Sequence, residues 1–277
     1  KLGTTYGEHL GDPARAAGAW KRVLQIDPRN GRALRTLRES FAAARDWEGL
    51  EALYAENQDW DGLVDVLGTA AERAEDPELK KELSFRAASI YEERIGNPER
   101  AFRSYERVLS VDPNDARAAR ALIPIYRDQE KWSRLVGLHE VLLQNLPEEA
   151  PLDERLELLE QLRELSATRT RDDQGAFRWA AKAYELAPVD AEVRKRVEDA
   201  ASKAGAHERL SDLFRQRLEQ EDVSGREKTQ LRRKLASLAG EKLGKSDDAI
   251  VQLQQILETD PTDEEAVQAL DRLYRQE

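Results

Sequence analysis

Between residues 101 and 113 the apolar positions are Ala101, Phe102, Tyr105, Val108 and Leu109. Steps of three and four place them on one helical face. Asn97 is placed to cap this helix, with Pro98 at its first position, where a missing N–H costs nothing. Pro113 disfavours helical geometry at Asp112 and stops the helix. Asp115, two residues on, is placed to cap the next one. The whole stretch, residues 96–122 (GNPERAFRSYERVLSVDPNDARAARAL), recurs 85 residues earlier at 11–37 (GDPARAAGAWKRVLQIDPRNGRALRTL). Weaker copies start at Gly175 and Gly244. The stops Pro28, Pro113, Pro188 and Pro261 follow one another at 85, 75 and 73 residues, with Asn30, Asp115, Asp190 and Asp263 two residues past each. Each interval holds about four helices, so one helical hairpin takes half of it.

The same periodicity predicts helices over 13–26, 32–44, 61–73, 77–94, 98–111, 116–127 and 131–144. After a proline-marked loop at 145–153 come 154–168, 175–186, 191–203, 207–219, 226–243, 247–258 and 264–275. Residues 2–10 read as the end of a preceding helix, and Pro124 is expected to kink the helix that holds it. One irregularity stands out. Asp46-Trp47-Glu48-Gly49-Leu50 is echoed thirteen residues on by Asp59-Trp60-Asp61-Gly62-Leu63. Trp132 lies 85 residues after Trp47 but 72 after Trp60. The extra length of the first interval therefore sits near 47–60, as an added short helix over 48–56.

Four positions mark each clear copy: Ala16, Trp20, Val23 and Pro28; Ala101, Tyr105, Val108 and Pro113; Ala249, Leu253, Ile256 and Pro261. Ala176, Ala180, Ala183 and Pro188 keep the frame without the bulk. In this spacing the chain resembles the second helix of the tetratricopeptide repeat family. Leu34, Leu37 and Phe41, then Ala119, Leu122 and Tyr126, then Val267, Leu270 and Tyr274 fit that family's first helix. The resemblance implies an all-α fold, a right-handed α-solenoid of about seven helix-turn-helix repeats. It covers nearly the whole chain, so residues 1–277 read as one array, part of a longer protein. It also implies a non-catalytic scaffold for a protein or peptide partner, with first helices lining a concave groove. A self-assembling structural unit is the alternative.

Composition fits thin two-layer helical packing, with 36% charged and 40% hydrophobic residues. Without Cys there are no disulfides, thiolate metal sites or cysteine nucleophile. No apolar run approaches the ~18–20 residues that span a bilayer. A net charge of −11 disfavours nucleic acid as a partner. His9, His139 and His207 lie far apart and lack companions at catalytic or metal spacing. There is no glycine-rich phosphate loop. No cofactor, metal or catalytic residue is expected.

Charge is unevenly spread, and two candidate partner-binding surfaces follow. Residues 1–46 carry nine Lys or Arg and five Asp or Glu, whereas 47–79 carry ten Asp or Glu and only Arg73. The acidic block holds Trp47, Tyr54 and Trp60. It reads either as a docking surface for a basic partner, with aromatic anchors, or as a solvated face whose Trp residues turn into the hairpin seam. The second surface is a row of arginines on first helices. Arg32 and Arg35 recur as Arg117 and Arg120 at spacing 85, with Arg86 on the hairpin between. Gathered in one groove, they suit an acidic or C-terminal peptide segment, unless Glu39, Glu82 and Asp115 already neutralise them. In the self-assembly alternative, the basic first segment docks on the acidic block or on the open C-terminal end of a second copy.

Overall fold

The structure, a computed structural model, describes residues 13–27 and 30–275. Tyr6, His9, Pro28 and the helix end expected over 2–10 lie outside the described residues. The described residues contain no strand, and their α-helices are α1 (Pro13–Ile26), α2 (Gly31–Ala44), α3 (Trp47–Ala55), α4 (Trp60–Arg73), α5 (Pro77–Glu93), α6 (Phe102–Val111), α7 (Ala116–Asp128), α8 (Trp132–Gln144), α9 (Leu152–Leu165), α10 (Asp173–Leu186), α11 (Ala191–Ala204), α12 (His207–Leu218), α13 (Gly225–Ser237), α14 (Ser246–Thr259) and α15 (Glu264–Tyr274). The chain divides after Gln129 into two compact units. The fold is all-α and built from repeated hairpins.

All four predicted caps form. Asn30, Asp115 and Asp263 accept the N–H groups of Ala33, Ala118 and Ala266 at 3.0, 2.9 and 3.0 Å. Asp190 accepts those of Glu192 and Val193 at 2.8 and 3.1 Å. Each satisfies one or two of the N–H groups that a helix start leaves without intrahelical partners. Asn97 caps as well, bonding the Arg100 N–H at 3.2 Å. The turn it starts, Pro98–Ala101, is a 3₁₀ turn, and α6 begins only at Phe102. Pro124 sits exposed inside α7, and the helix runs past it to Asp128.

The helix ends carry the same period as the prolines. Gly96, Arg171 and Gly244 have φ of 70°, 55° and 64° and follow one another at 75 and 73 residues (171 − 96 and 244 − 171). After each, the next residue's N–H reaches six residues back, Asn97 to Tyr91, Asp172 to Ser166 and Lys245 to Ala239, all at 2.8 Å, one residue further than the bond of a Schellman ending. At the last two ends the helix widens into a π turn, Ser166–Thr170 and Leu238–Lys242. A second set of left-handed residues is Arg45, Gln58, Glu130 and Gly205. The first two are thirteen apart (58 − 45), so the duplicated motif repeats the turn along with its Asp and Trp.

That motif has a local cause. Asp46 accepts the Gly49 N–H at 2.9 Å, and Asp59 accepts that of Gly62 at 3.1 Å. Asp172 and Gly175 do the same at 2.8 Å. A Cβ on Gly49 would stand 2.5 Å from the Asp46 carboxylate, and one on Gly62 would run into Asp59. The cap closes over the glycine, so no other residue fits without opening it. Gly62→Ala should therefore forfeit a cap worth about 1 kcal/mol and cancel the similar helix-propensity gain of Ala over Gly. Gly68→Ala, in open space on the same helix, should instead raise stability by about 0.5–1 kcal/mol. Urea titration of the two variants distinguishes them, and equal gains would mean that the cap is unimportant.

In the unit up to Gln129 the core runs through Trp20, Leu37, Leu50, Leu63, Leu83 and their neighbours, with α3 contributing Leu50 and Leu53. The other unit packs Tyr184, Val197, Phe214, Leu231 and Leu235 together. Trp20, Tyr105 and Leu253, equivalent in the repeat pattern, are 8%, 2% and 3% exposed.

Candidate functional site

The insertion shapes the surface of the first unit. α4 packs directly on α5, and α5 on α6. The α2–α4 stretch differs: α2 packs on α3, and α3 on α4. α3 is only nine residues long. It is too short to fill the length of its neighbours, and an open groove of about 1270 Å³ remains between α2, α3, α4 and the start of α5. Trp47, Tyr54, Val66, Ala70 and Leu79 give it apolar lining. Asp59, Asp65, Arg73, Glu75 and Asp76 line it from α4 and the approach to α5, and Arg38 and Glu39 line it from α2, with Arg45 just past that helix.

Two smaller grooves share residues with it. One, of about 320 Å³, adds Arg35 and Asn57 to Arg38, Tyr54 and Asp59. The other, of about 530 Å³, adds Glu48, Glu78, Glu82 and Arg86 to Arg45, Trp47, Asp76 and Leu79. Arg35, Trp47 and Arg86 thus line three grooves that share wall residues, and the walls of these grooves include neither Arg32 nor Trp60, Arg117 or Arg120.

The predicted residues have defined surroundings. Trp47 is 8% exposed and belongs to the core while showing an edge to the groove. Trp60 is half-buried, packs against that core, and has the Arg94 guanidinium 5.3 Å from its ring centre. Arg32 lies 5.7 Å from the Trp20 ring centre. Arg117 stacks on Phe85 at 4.6 Å, and its Nη2 lies 3.4 Å from the Ser89 Oγ. Arg86 donates from Nε to Glu82 at 2.9 Å and lies 3.9 Å from Glu51. Arg35 and Arg120 are exposed.

Of the three carboxylates expected to neutralise these arginines, only Glu82 is paired with one of them among the described residues. Asp115 is taken by Lys81, whose Nζ lies 2.8 Å from it and 2.5 Å from Asp112. Lys81 is held above the usual lysine range and Asp112 below the usual carboxylate range, chiefly through this hydrogen bond. Arg233 makes the equivalent contact in the second unit, 2.5 Å from the cap Asp263. A cation on one first helix thus holds the cap of the next first helix. This ties neighbouring hairpins together and occupies these carboxylates within the fold.

Sequence reasoning grouped Tyr54, Asp65 and Glu75 in the acidic block but did not identify them as groove walls. The usable signal was the duplicated Asp-Trp motif, which marks where a short helix, α3, is added between two full-length ones. His139 is buried, with Nδ1 2.9 Å from the Leu135 carbonyl oxygen. Among the described residues, no group of three His, Cys, Asp or Glu is placed to hold a metal ion. No described helix is long and apolar enough to cross a membrane.

Residues 82–115, covering most of α5, all of α6 and the turn to Asp115, match the tetratricopeptide repeat family model. No curated protein matches the chain. Among solved structures it is similar to a thermophilic tetratricopeptide repeat protein of Thermus thermophilus, with 18% identity, 81% of this chain and 95% of that one covered, and a TM-score of 0.28. It is also similar to a tetratricopeptide repeat protein of Parabacteroides merdae (12% identity, 98% and 96% covered, TM-score 0.29). A third is the tetratricopeptide repeat domain of P58(IPK) (12% identity, 99% and 86% covered, TM-score 0.31). With one tetratricopeptide repeat matched at 82–115, and the same capped turn at Asn30, Asp190 and Asp263, the chain is a helical-repeat protein that carries a repeat of that kind.

Proposed function

We propose that the protein is a non-catalytic scaffold and that it docks a partner protein or peptide in the groove around α3. The observation that carries this reading is the groove itself: an open trough of about 1270 Å³ with aromatic and aliphatic lining and charged walls. It exceeds the ~300–1,000 Å³ typical of small-molecule sites and has the breadth for a segment of polypeptide. Large aromatic side chains flanked by charge are the usual anchors of such contacts. Arg35 and Arg86 stand on the walls of the adjoining grooves. Arg32 and Arg117 are engaged with aromatic rings of their own chain, which leaves Arg120 as the exposed outlier of the arginine row.

Two variants test the placement. Thr69 is exposed and lines the groove, so Thr69→Trp fills it without entering the core. Capture of the partner from extract should fall about tenfold or more, with unchanged thermal stability. Arg117→Ala with Arg120→Ala should leave capture intact. The reverse pattern would move the binding surface to the arginine row.

A further inference from the structure

We infer that the groove around α3 takes a basic segment of a partner protein, one that carries cationic side chains beside an apolar anchor. The inference rests on the scaffold reading and adds the chemistry of the occupant. It starts from the charge of the stretch that builds most of the groove: residues 47–79 hold ten carboxylates and one arginine. Folding consumes only part of this charge: Asp61, Glu72 and Glu51 pair with Arg100, Arg107 and Arg86 at 2.6, 3.0 and 3.9 Å. Asp59 and Asp76 spend one oxygen each on helix caps. Among the described residues, the side chains of Glu48, Asp65, Glu75 and Glu78 have no ion-pair or hydrogen-bond partner in the protein. Like charges concentrated on one wall repel one another, and a cation bound between them relieves that repulsion.

The opposite wall carries Arg38 and Glu39 on α2 and Arg45 just past its end, and Arg73 stands among the carboxylates of α4, so five carboxylates face three arginines; none of the three arginines makes an ion pair among the described residues. The void left by the short α3 holds the two walls apart. Their charges therefore remain available to a ligand, and the acidic wall has more of them. Between the walls, Tyr54, Val66 and Ala70 offer a place for one apolar side chain. All three pack against the buried Leu50–Leu53–Leu63 core, so the floor is preformed and its ordering is complete before the ligand arrives. An acidic segment would meet the same arginines but leave the larger set of carboxylates opposed. An α-helix, about 10–12 Å across with its side chains, suits a trough of this kind, with its basic face toward α4 and α5.

The test uses the full chain and two fluorescein-labelled amphipathic helical peptides, one with lysine on its polar face and one with glutamate there. By fluorescence anisotropy the lysine peptide should bind, more weakly as salt is raised, and the glutamate peptide should not. Asp65→Lys with Glu75→Lys should weaken binding of the lysine peptide by about tenfold or more. Arg117→Ala with Arg120→Ala should leave it unchanged. Asp65→Asn with Glu75→Gln, milder in its effect on folding, should give an intermediate loss. Equal or tighter binding of the glutamate peptide in the wild type overturns the basic occupant. So does binding of the lysine peptide that ignores both wall variants. If neither peptide binds while Thr69→Trp still abolishes partner capture, the scaffold reading stands and the basic occupant falls. A dimer in sedimentation that the charge reversal dissociates assigns the groove to a second copy of the chain and also overturns it.

Discussion

Glu227→Ala should lower the unfolding free energy by about 3–5 kcal/mol, the cost of stranding one member of a buried ion pair. Arg217 on α12 is 5% exposed and Glu227 on α13 is 8% exposed. They meet in a two-pronged contact, Nε to Oε1 at 2.9 Å and Nη2 to Oε2 at 3.2 Å. The remaining guanidinium nitrogen donates to Asp222 at 2.7 Å and to Gln220 at 2.5 Å. One cation thus fixes the α12–α13 loop and the start of α13. Its hydrogen bond to Glu227 is the main reason the guanidinium is held more firmly protonated than a free arginine. Truncating Glu227 leaves that charge inside the protein with one fewer carboxylate. Asp222→Ala should cost only about 0–1 kcal/mol, since this partner is itself exposed and its contact resembles a surface pair. The double change Arg217→Met with Glu227→Leu should be less destabilising than Glu227→Ala alone, because no charge is stranded. Urea titrations of the three variants decide it. A double variant at least as unstable as the single would show that the pair's attraction outweighs its desolvation.

This pair also marks where sequence reading runs out. Ser224 and Glu227 have the spacing of a capping box, and Ser224 does accept the Glu227 N–H at 3.2 Å. The carboxylate, however, turns to Arg217 ten residues back. That choice depends on how α12 lies against α13, which no local pattern specifies. Lys81 and Asp115 are a similar case: the cap was legible, but the cation that holds it comes from another hairpin. What was legible is local: the proline stops, the Asn and Asp caps two residues later, the apolar faces and the duplicated Asp-Trp turn. The groove was not, because it is a volume left vacant by the nine residues of α3 beside helices of fourteen. An apolar pattern records which side chains meet and is silent about space that nothing fills. The arginine row illustrates the same limit. Its spacing speaks only of one helix face, whereas stacking on Trp20 and Phe85 depends on rings from neighbouring helices.

Trp20→Ala should cost about 3–5 kcal/mol, the range for deleting a large aromatic from a packed interior. Trp20 is 8% exposed and shares its cluster with Leu24, Leu37 and Phe41. It fills, between α1 and α2, the place that Tyr105 and Leu253 fill in their own hairpins. Arg32 lies 5.7 Å from its ring centre, adding a cation–π contact of about 0.5–1 kcal/mol where exposed. The neighbouring small residues Ala16 and Ala33 have no side chain to swing into the gap, so little of the void can collapse. Arrays of hairpins distribute stability by nearest-neighbour contacts, so the loss should be local first. Hydrogen exchange should rise most in α1 and α2, and less in α5 and α6 of the same unit. Trp20→Phe, which keeps a ring in the same place, should recover more than half of the loss. A change below about 1 kcal/mol for Trp20→Ala would put Trp20 outside the core. It would also break its equivalence with Tyr105, on which the 85-residue repeat and the position of the α3 insertion both depend.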